Sequence, residues 1–162
     1  MELSIHYAAA NELQLVHGIM QQAFAEYAGL LVPPSGALLE KEENLPLLLA
    51  DGKGTALLGK INDIPVASAR YFVKPDFIYV GRISVLPDYR GRGIAAAILS
   101  FVEQEAARLN KREIQLEVRM SIPANIVMYE KLGYTIIEHI PYATGTDVSV
   151  TMSKPAPPLA TI

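Results

Sequence analysis

Two glycines separated by one arginine, Gly91-Arg92-Gly93, stand where the hydrophobic pattern changes from that of a strand to that of a helix. Residues 77–85 alternate as a strand does, and residues 91–110 carry apolar side chains at helical spacing. Glycines let the backbone turn its N–H groups towards a ligand, and a helix N-terminus adds unbonded donors and partial positive charge. With Arg90 and Arg92 alongside, these features predict an anion site, most naturally for a pyrophosphate.

Several phosphate-binding loops are compatible with two glycines. A Walker A loop is excluded, because no segment has its G-x-x-x-x-G-K-[ST] spacing. Gly91-x-Gly93-x-x-Ala96 satisfies the relaxed dinucleotide fingerprint, so a dinucleotide-binding oxidoreductase stays an alternative. Against it, residues 87–90 separate the strand from the first glycine, whereas the dinucleotide turn follows its strand closely.

The elements around the loop predict an α/β fold with a mixed sheet. Strand 77–85, helix 91–110 and strand 114–118 form one right-handed parallel βαβ unit. Segments 56–61 and 64–72 flank Asn62-Asp63 as an antiparallel hairpin. A short helix over 123–132 precedes two further strands, 134–140 and 148–152, which we expect to be antiparallel.

The length of 162 residues predicts one domain, which we place at residues 1–153. Residues 154–162 carry three prolines within four positions and are interpreted as a loose C-terminal tail. Without a recognisable spanning or targeting segment, the expected location is the cytoplasm, with no membrane partner.

Charge and residue counts exclude several classes of function. The net charge of −3 excludes a globally basic nucleic-acid binder, so no nucleic-acid partner is expected. The absence of cysteine excludes a thiol nucleophile and a cysteine-ligated metal site. The three histidines, His6, His17 and His139, share no ligand spacing, so we infer no metal.

Two sequence blocks resemble the GNAT superfamily of acyl-CoA-dependent N-acetyltransferases. The first matches its coenzyme A loop, [Q/R]-x-x-G-x-[G/A], at Arg90, Gly93 and Ala95. The second is the run Tyr-Glu-Lys-Leu-Gly-Tyr from Tyr129 to Tyr134, which begins 34 residues after Ala95. The resemblance implies a GNAT-like fold: a mostly antiparallel sheet, a central parallel βαβ unit and flanking helices.

The resemblance also implies acetyl-CoA as the acetyl donor. Its pyrophosphate would rest on backbone N–H groups from Gly91 to Ala95, which include Arg92, Gly93 and Ile94. Its pantetheine arm would run beside Ile83, Ser84 and Val85, and the Val85 N–H would polarise the thioester carbonyl. In this family the strands equivalent to 77–85 and 114–118 splay apart to admit that arm.

The family resemblance assigns Tyr129 as the general acid, since a phenol can donate a proton to the leaving sulfur. The general base is open. Many relatives carry a glutamate on the strand before the glycine loop, and this sequence has none there. Glu117 coincides with the base position of peptide-acetylating relatives, but it is equally interpretable as an ion-pair partner of Arg119 or Arg82. A water wire, or desolvation of an already neutral amine, is a third possibility.

Asn125 is a further candidate contact for coenzyme A. Relatives often have an asparagine seven residues before the tyrosine and an alanine four before it, where this chain has Ile122 and Asn125. Asn125 and Tyr129 would share one helix face, four residues apart, so Asn125 can bond the pantetheine arm or its phosphate end. An ordinary polar residue in the first helical turn is the alternative interpretation.

Together these features predict an N-acetyltransferase that moves an acetyl group from acetyl-CoA to a primary amine of a small molecule or peptide by direct attack. A non-catalytic acyl-CoA-binding or sensor module is the alternative, because the strand glutamate is missing. The identity of the acceptor amine is open, and the chain is expected to be a monomer or homodimer.

Overall fold

A seven-stranded sheet organises the chain in the computed structural model, which describes residues 2–158. The strands are β1 Leu3–Tyr7, β2 Gly54–Ile61, β3 Ile64–Val73, β4 Phe77–Val85, β5 Glu113–Arg119, β6 Thr135–Pro141 and β7 Val148–Pro155. Their order in the sheet is β1-β2-β3-β4-β5-β7-β6. Neighbouring strands are antiparallel except β4 and β5, which run parallel.

Five α-helices cover the two faces of this sheet. They are α1 Leu13–Phe24, α2 Gly36–Leu39, α3 Leu45–Gly52, α4 Ile94–Arg108 and α5 Pro123–Lys131. Neighbouring residues of a strand point to opposite faces. Leu57 belongs to the core with α4, and Leu58 belongs to the core with α1 and Leu45. Helices α1 and α3 therefore pack on one face, and α4 packs on the other.

The predicted α/β class and both of its sheet motifs are confirmed. Strand β4, helix α4 and strand β5 form the parallel βαβ unit. Strands β2 and β3 form the antiparallel hairpin, and Asn62 and Asp63 in its turn both have positive φ, 49° and 69°. Two consecutive left-handed residues are the requirement of a type I′ turn, which matches the twist of a hairpin.

Strands β4 and β5 separate after three pairs, as the resemblance implies. Phe77, Ile78 and Tyr79 pair with residues 113–115, and the register ends there. On its other edge, β4 carries an extra residue opposite β3, because Ser68 pairs with Ser84 while Arg70 pairs with Gly81. This bulge bends β4 at the point where it leaves β5. A cleft therefore opens in the middle of the sheet.

Several element boundaries differ from the sequence predictions. Helix α4 begins at Ile94 rather than at residue 91, because Gly91 and Gly93 have positive φ and cannot continue a right-handed helix. The sequence also predicts a helix near residues 37–44 with Ser35 as its cap. The structure has the shorter helix α2 there, and a further helix, α3, follows it.

The predicted start of the tail also needs correction. Strand β7 continues through Lys154 and Pro155, which pair with Ile114 and Glu113 of β5. Proline is tolerated there because β6 pairs with β7 only as far as Ser153, so β7 is an edge strand at Pro155. Residues 159–162 of the predicted tail lie outside the described residues. Within residues 2–158, every helix falls short of the length and apolar character needed to cross a membrane.

Candidate active site

The glycine loop presents an array of unbonded backbone donors. Gly91 and Gly93 have φ of 78° and 76°, a conformation that other residues adopt at a cost. Within the described residues, the N–H groups of positions 91–96 donate no backbone hydrogen bond, and the first bond of the helix runs from the Ala97 N–H to the Gly93 carbonyl. These donors lie at the N-terminus of a 15-residue helix, whose dipole favours an anion. The loop therefore fits a pyrophosphate.

The two arginines of the loop are used differently. Arg90 donates to Glu26 Oε2 at 2.6 Å, to the Ala23 carbonyl at 3.0 Å and to the Val85 carbonyl at 3.4 Å. Its guanidinium thus fastens the loop to the end of α1. The Arg92 guanidinium lies 5.0 Å from the centre of the Tyr89 ring and pairs with no carboxylate among the described residues. Arg92 is therefore the loop cation whose charge is not already neutralised.

A cavity of about 570 Å³ lies between this loop, α1 and α5. We call it the donor cavity. It is lined by Ala23, Phe24, Glu26, Tyr27, Ile83, Val85, Tyr89, Arg90, Gly91, Gly93, Ile94, Ala95, Ala96, Asn125, Met128, Tyr129, Lys131 and Leu132. Most of the predicted coenzyme A contacts thus come together. Ser84 and Arg92 do not line it. The Ser84 side chain is buried and its hydroxyl donates to the Arg82 carbonyl, so Ser84 can contribute only through its backbone.

A second cavity, of about 410 Å³, occupies the cleft between β4 and β5. We call it the acceptor cavity. Its polar and aromatic lining includes Tyr79, Arg82, Glu117, Arg119, Tyr142 and Ser149. The two cavities share Phe24, Tyr27, Ile83, Asn125 and Tyr129. These shared residues form the junction between the glycine loop and the carboxylate of Glu117.

Tyr129 is held at this junction by α5 and the turn that follows it. Its side chain is almost fully buried, and its ring packs edge-on against Tyr134 with centroids 6.2 Å apart. The Tyr134 N–H donates to the Tyr129 carbonyl, which closes the helix at Gly133. Burial raises the pKa of the Tyr129 phenol, and the nearby Tyr27 and Tyr79 raise it further. Tyr129 therefore keeps its proton at neutral pH and is suited to act as an acid.

Glu117 lies on β5 with its side chain exposed to the acceptor cavity. Ser149 Oγ, on the neighbouring strand β7, donates to Glu117 Oε2 at 3.2 Å. Among the described residues it forms no ion pair with Arg82 or Arg119, whose carboxylate partners are Glu40 and Asp147. The ion-pair interpretation of Glu117 is therefore not what the structure shows. Its carboxylate is available to an acceptor.

Asn125 stands in the first turn of α5 and lines both cavities, on the same helix face as Tyr129. Its amide lies close to the Tyr27 hydroxyl. Burial is the main reason that the Tyr27 pKa is raised, Glu26 adds to the increase, and Asn125 opposes it. Asn125 is thus placed to contact a ligand that passes from one cavity to the other.

Arg119 forms a wall of the acceptor cavity that the sequence did not indicate. Its guanidinium donates to the carbonyls of Pro33 and Pro34, lies 3.6 Å from Asp147 and stacks on the Tyr142 ring at 4.8 Å. The Pro33 carbonyl lies 86 positions away in sequence. Thr146 adds a second link by donating to the Val32 carbonyl. The α1–α2 loop is thereby joined to the β6–β7 loop across the cavity.

Known proteins resemble this chain in parts of its sequence and in its fold. The acetyltransferase (GNAT) family model matches residues 19–134. An acetyltransferase of Sodalis glossinidius is 43% identical over 58 residues, which is 36% of this chain and 41% of that protein. The chain thus matches about two-fifths of the length of this curated relative.

Two solved structures share the fold over nearly the whole chain. One is a ribosomal-protein alanine N-acetyltransferase from Escherichia coli, with a TM-score of 0.76 and 22% identity, covering 99% of this chain and 97% of that one. The other is spermidine N-acetyltransferase from Vibrio cholerae in complex with coenzyme A and spermine, with a TM-score of 0.74 and 14% identity, covering 95% of both chains. With its family model matched over more than half of its length, this chain belongs to the GNAT acetyltransferase family.

Proposed function

We propose that this protein is an N-acetyltransferase that moves an acetyl group from acetyl-CoA to a primary amine by direct attack. The observation that carries the proposal is the position of Tyr129. Its protonated phenol lies where the donor cavity meets the acceptor cavity, which contains the free carboxylate of Glu117. An acid that protonates the leaving thiolate and a carboxylate that accepts the amine proton are two groups that assist amide formation from a thioester.

The donor cavity holds the residues that would bind acetyl-CoA. Backbone N–H groups from Gly91 to Ala95 would hold the pyrophosphate. The edge of β4 from Ile83 to Val85 faces the cleft, where β5 no longer pairs with it, and would bind the pantetheine arm by its backbone. Asn125 would contact the same arm at the junction. When bound, acetyl-CoA supplies an acetyl group activated as a thioester.

The acceptor cavity supplies the proton chemistry. An alkyl ammonium ion has no free electron pair, so a proton must leave the acceptor before its nitrogen attacks. Glu117, held by Ser149, can accept this proton. The new bond joins the amine nitrogen to the acetyl carbon, and the bond from that carbon to sulfur breaks. Tyr129 can donate its hydroxyl proton to the departing thiolate, and the resulting phenolate can take up the second proton that the nitrogen loses as the amide forms.

A coupled binding and activity measurement tests the proposal. Isothermal titration with acetyl-CoA should show saturable binding, and thiol release should appear when a panel of primary amines is added. Failure to bind acetyl-CoA would overturn the proposal. Binding without thiol release for every amine would favour the sensor alternative instead.

The cellular and assembly predictions remain part of this proposal. We propose a cytoplasmic protein that acts as a monomer or homodimer, without nucleic-acid or membrane partners, and whose catalytic unit is the single domain described above. Cell fractionation tests the location, and size-exclusion chromatography with light scattering measures the oligomeric state.

A further inference from the structure

Arg82 has an unusual backbone conformation inside the acceptor cavity. It is the bulged residue of β4 and has a φ of 52°, which side-chain-bearing residues rarely adopt. Such strain persists only where the surrounding structure enforces it, and it is concentrated at functional sites. The bulge directs the Arg82 side chain to the face of the sheet that carries α2, where it lines the cavity.

The carboxylate nearest to Arg82 is already occupied. Glu40 accepts two hydrogen bonds from Arg70, at 2.8 and 2.7 Å, and both side chains are buried. Arg82 Nε lies 4.0 Å from the same carboxylate, beyond hydrogen-bond distance, and 37% of its side chain is exposed. Two guanidinium groups therefore share one carboxylate, and the outer one retains donors directed to the cavity.

The structure leaves space for this guanidinium. Gly36, the first residue of α2, also lines the cavity, and a Cβ at that position would lie 2.9 Å from Arg82 Nη2. A larger residue at position 36 would displace the arginine. The glycine at position 36 thus leaves room for the Arg82 guanidinium at the wall of the cavity.

Glu117 provides the opposite charge in the same cavity, and the charges of Glu117 and Arg82 both affect the pKa of Tyr79. The pKa of Tyr79 is raised to about 12, mainly by burial and in part by the charge of Glu117, whereas Arg82 acts to lower it. Among the described residues, the acceptor cavity therefore contains one carboxylate without a cationic partner, that of Glu117. It also contains one guanidinium, that of Arg82, which its carboxylate partner only partly neutralises. A ligand with a positive group and a negative group would complement both.

We propose that Arg82 binds a carboxylate of the acceptor, and that the preferred acceptor is an amino acid whose amine faces Glu117. This inference rests on the proposed acetyltransferase function and names its substrate class. A polyamine would bring a second ammonium group towards Arg82, where like charges repel. A peptide N-terminus would bring an amide carbonyl, which forms a weaker hydrogen bond with a guanidinium than a carboxylate does.

Matched acceptor pairs test this inference. Each pair is an α-, β- or γ-amino acid and its carboxamide, assayed by thiol release from acetyl-CoA. We expect kcat/KM to be about 10- to 100-fold higher for the acid of at least one pair, the effect of one charged hydrogen-bonding partner. Arg82→Gln should remove that preference by raising the KM of the acid about 10- to 100-fold more than the KM of its amide. Arg112→Gln, a matched loss of an exposed arginine far from the cavity, should retain the preference.

Two outcomes would overturn the inference without affecting the proposed function. One is equal acetylation of acids and amides by the wild-type protein. The other is a preference for acids that survives Arg82→Gln. The binding of the same pairs to the protein with coenzyme A, followed by NMR, gives a readout that needs no turnover. If acids and amides bind equally in the NMR measurement, or if neither binds, the inference about Arg82 is wrong as well. Failure to bind acetyl-CoA would instead overturn the proposed function.

Discussion

Arg90 Nη1 donates a hydrogen bond to Glu26 Oε2 at 2.6 Å and so joins the turn after α1 to the glycine loop. The same guanidinium also bonds the carbonyls of Ala23 and Val85. Tyr27, the neighbour of Glu26, lines both cavities. The position of the glycine loop is thereby coupled to the position of Tyr27 in the wall of the acceptor cavity.

Arg90→Gln should weaken acetyl-CoA binding about 3- to 10-fold, because the loop loses its bonds to α1. Glu26→Gln should weaken acetyl-CoA binding less than Arg90→Gln does, since Arg90 keeps its hydrogen bonds to the carbonyls of Ala23 and Val85. The two side chains are 40% and 46% exposed, so each variant should lose less than about 1 kcal/mol of unfolding free energy. Calorimetric titration and urea unfolding measure the two effects. An unchanged affinity in Arg90→Gln would show that the loop is positioned without this arginine.

Tyr129→Phe should lower kcat about 10²- to 10⁴-fold with little change in acetyl-CoA affinity, because it removes the proton donor and keeps the packed ring. The raised pKa of the phenol means that wild-type kcat should show no loss below pH 10 through ionisation of this group. A pH–rate profile checks this expectation.

Tyr134→Phe is the matched control for that variant. The Tyr134 hydroxyl donates to Glu103 at 2.9 Å, and the residue lines neither cavity. We expect its kcat to equal that of the wild type and its unfolding free energy to fall by about 1 kcal/mol. Equal kcat in Tyr129→Phe and Tyr134→Phe would remove Tyr129 from the chemistry.

Gly93→Ala should destabilise the protein by about 1–2 kcal/mol and weaken acetyl-CoA binding. Its φ of 76° is unfavourable for alanine, although no atom lies within 4 Å of the added Cβ. Gly18→Ala is the control, because Gly18 also has open space around it but lies inside α1 without positive φ. It should raise the unfolding free energy by about 0.5–1 kcal/mol and leave binding unchanged. Destabilisation in both variants would point to packing rather than backbone conformation.

Asp147→Asn should lower the unfolding free energy by about 2 kcal/mol at pH 7, because Arg119 loses its carboxylate partner. Burial opposes ionisation of Asp147, but hydrogen bonds from Ser121 and Val148, with the Arg119 charge, outweigh it and lower its pKa. A lowered folded-state pKa stabilises the protein above the ordinary value of 3.8, and this stabilisation is lost as the pH falls through the folded-state pKa. The difference between the two proteins should therefore shrink below pH 4 in urea unfolding. A difference in unfolding free energy that does not change with pH would show that it arises from packing and not from the charge of Asp147.

The donor side of the site could be predicted because its information is local. Glycines with positive φ and the helix start lie within a few residues, and residues 77–85 form the predicted strand with the same bounds. The Tyr129 block is likewise one continuous run on a helix and its closing turn. Helix α3 was missed, and the predicted tail included two residues of β7, because those boundaries depend on packing and on pairing with β5.

Local sequence patterns were enough to predict the mixed α/β class, the anion-binding loop and the tyrosine between the two cavities. The partners of the charged side chains depend on the three-dimensional fold. Arg90 bonds a glutamate 64 positions away, and Arg119 bonds carbonyls of the α1–α2 loop. Within residues 2–158, Glu117 has no cationic partner and accepts a hydrogen bond from Ser149. Every arginine carries the same hydrogen-bond donors, so its position in the sequence does not show which acceptor it will bond. Folding selects the partners by bringing distant segments together, and that selection leaves Arg82 and Glu117 available in one cavity.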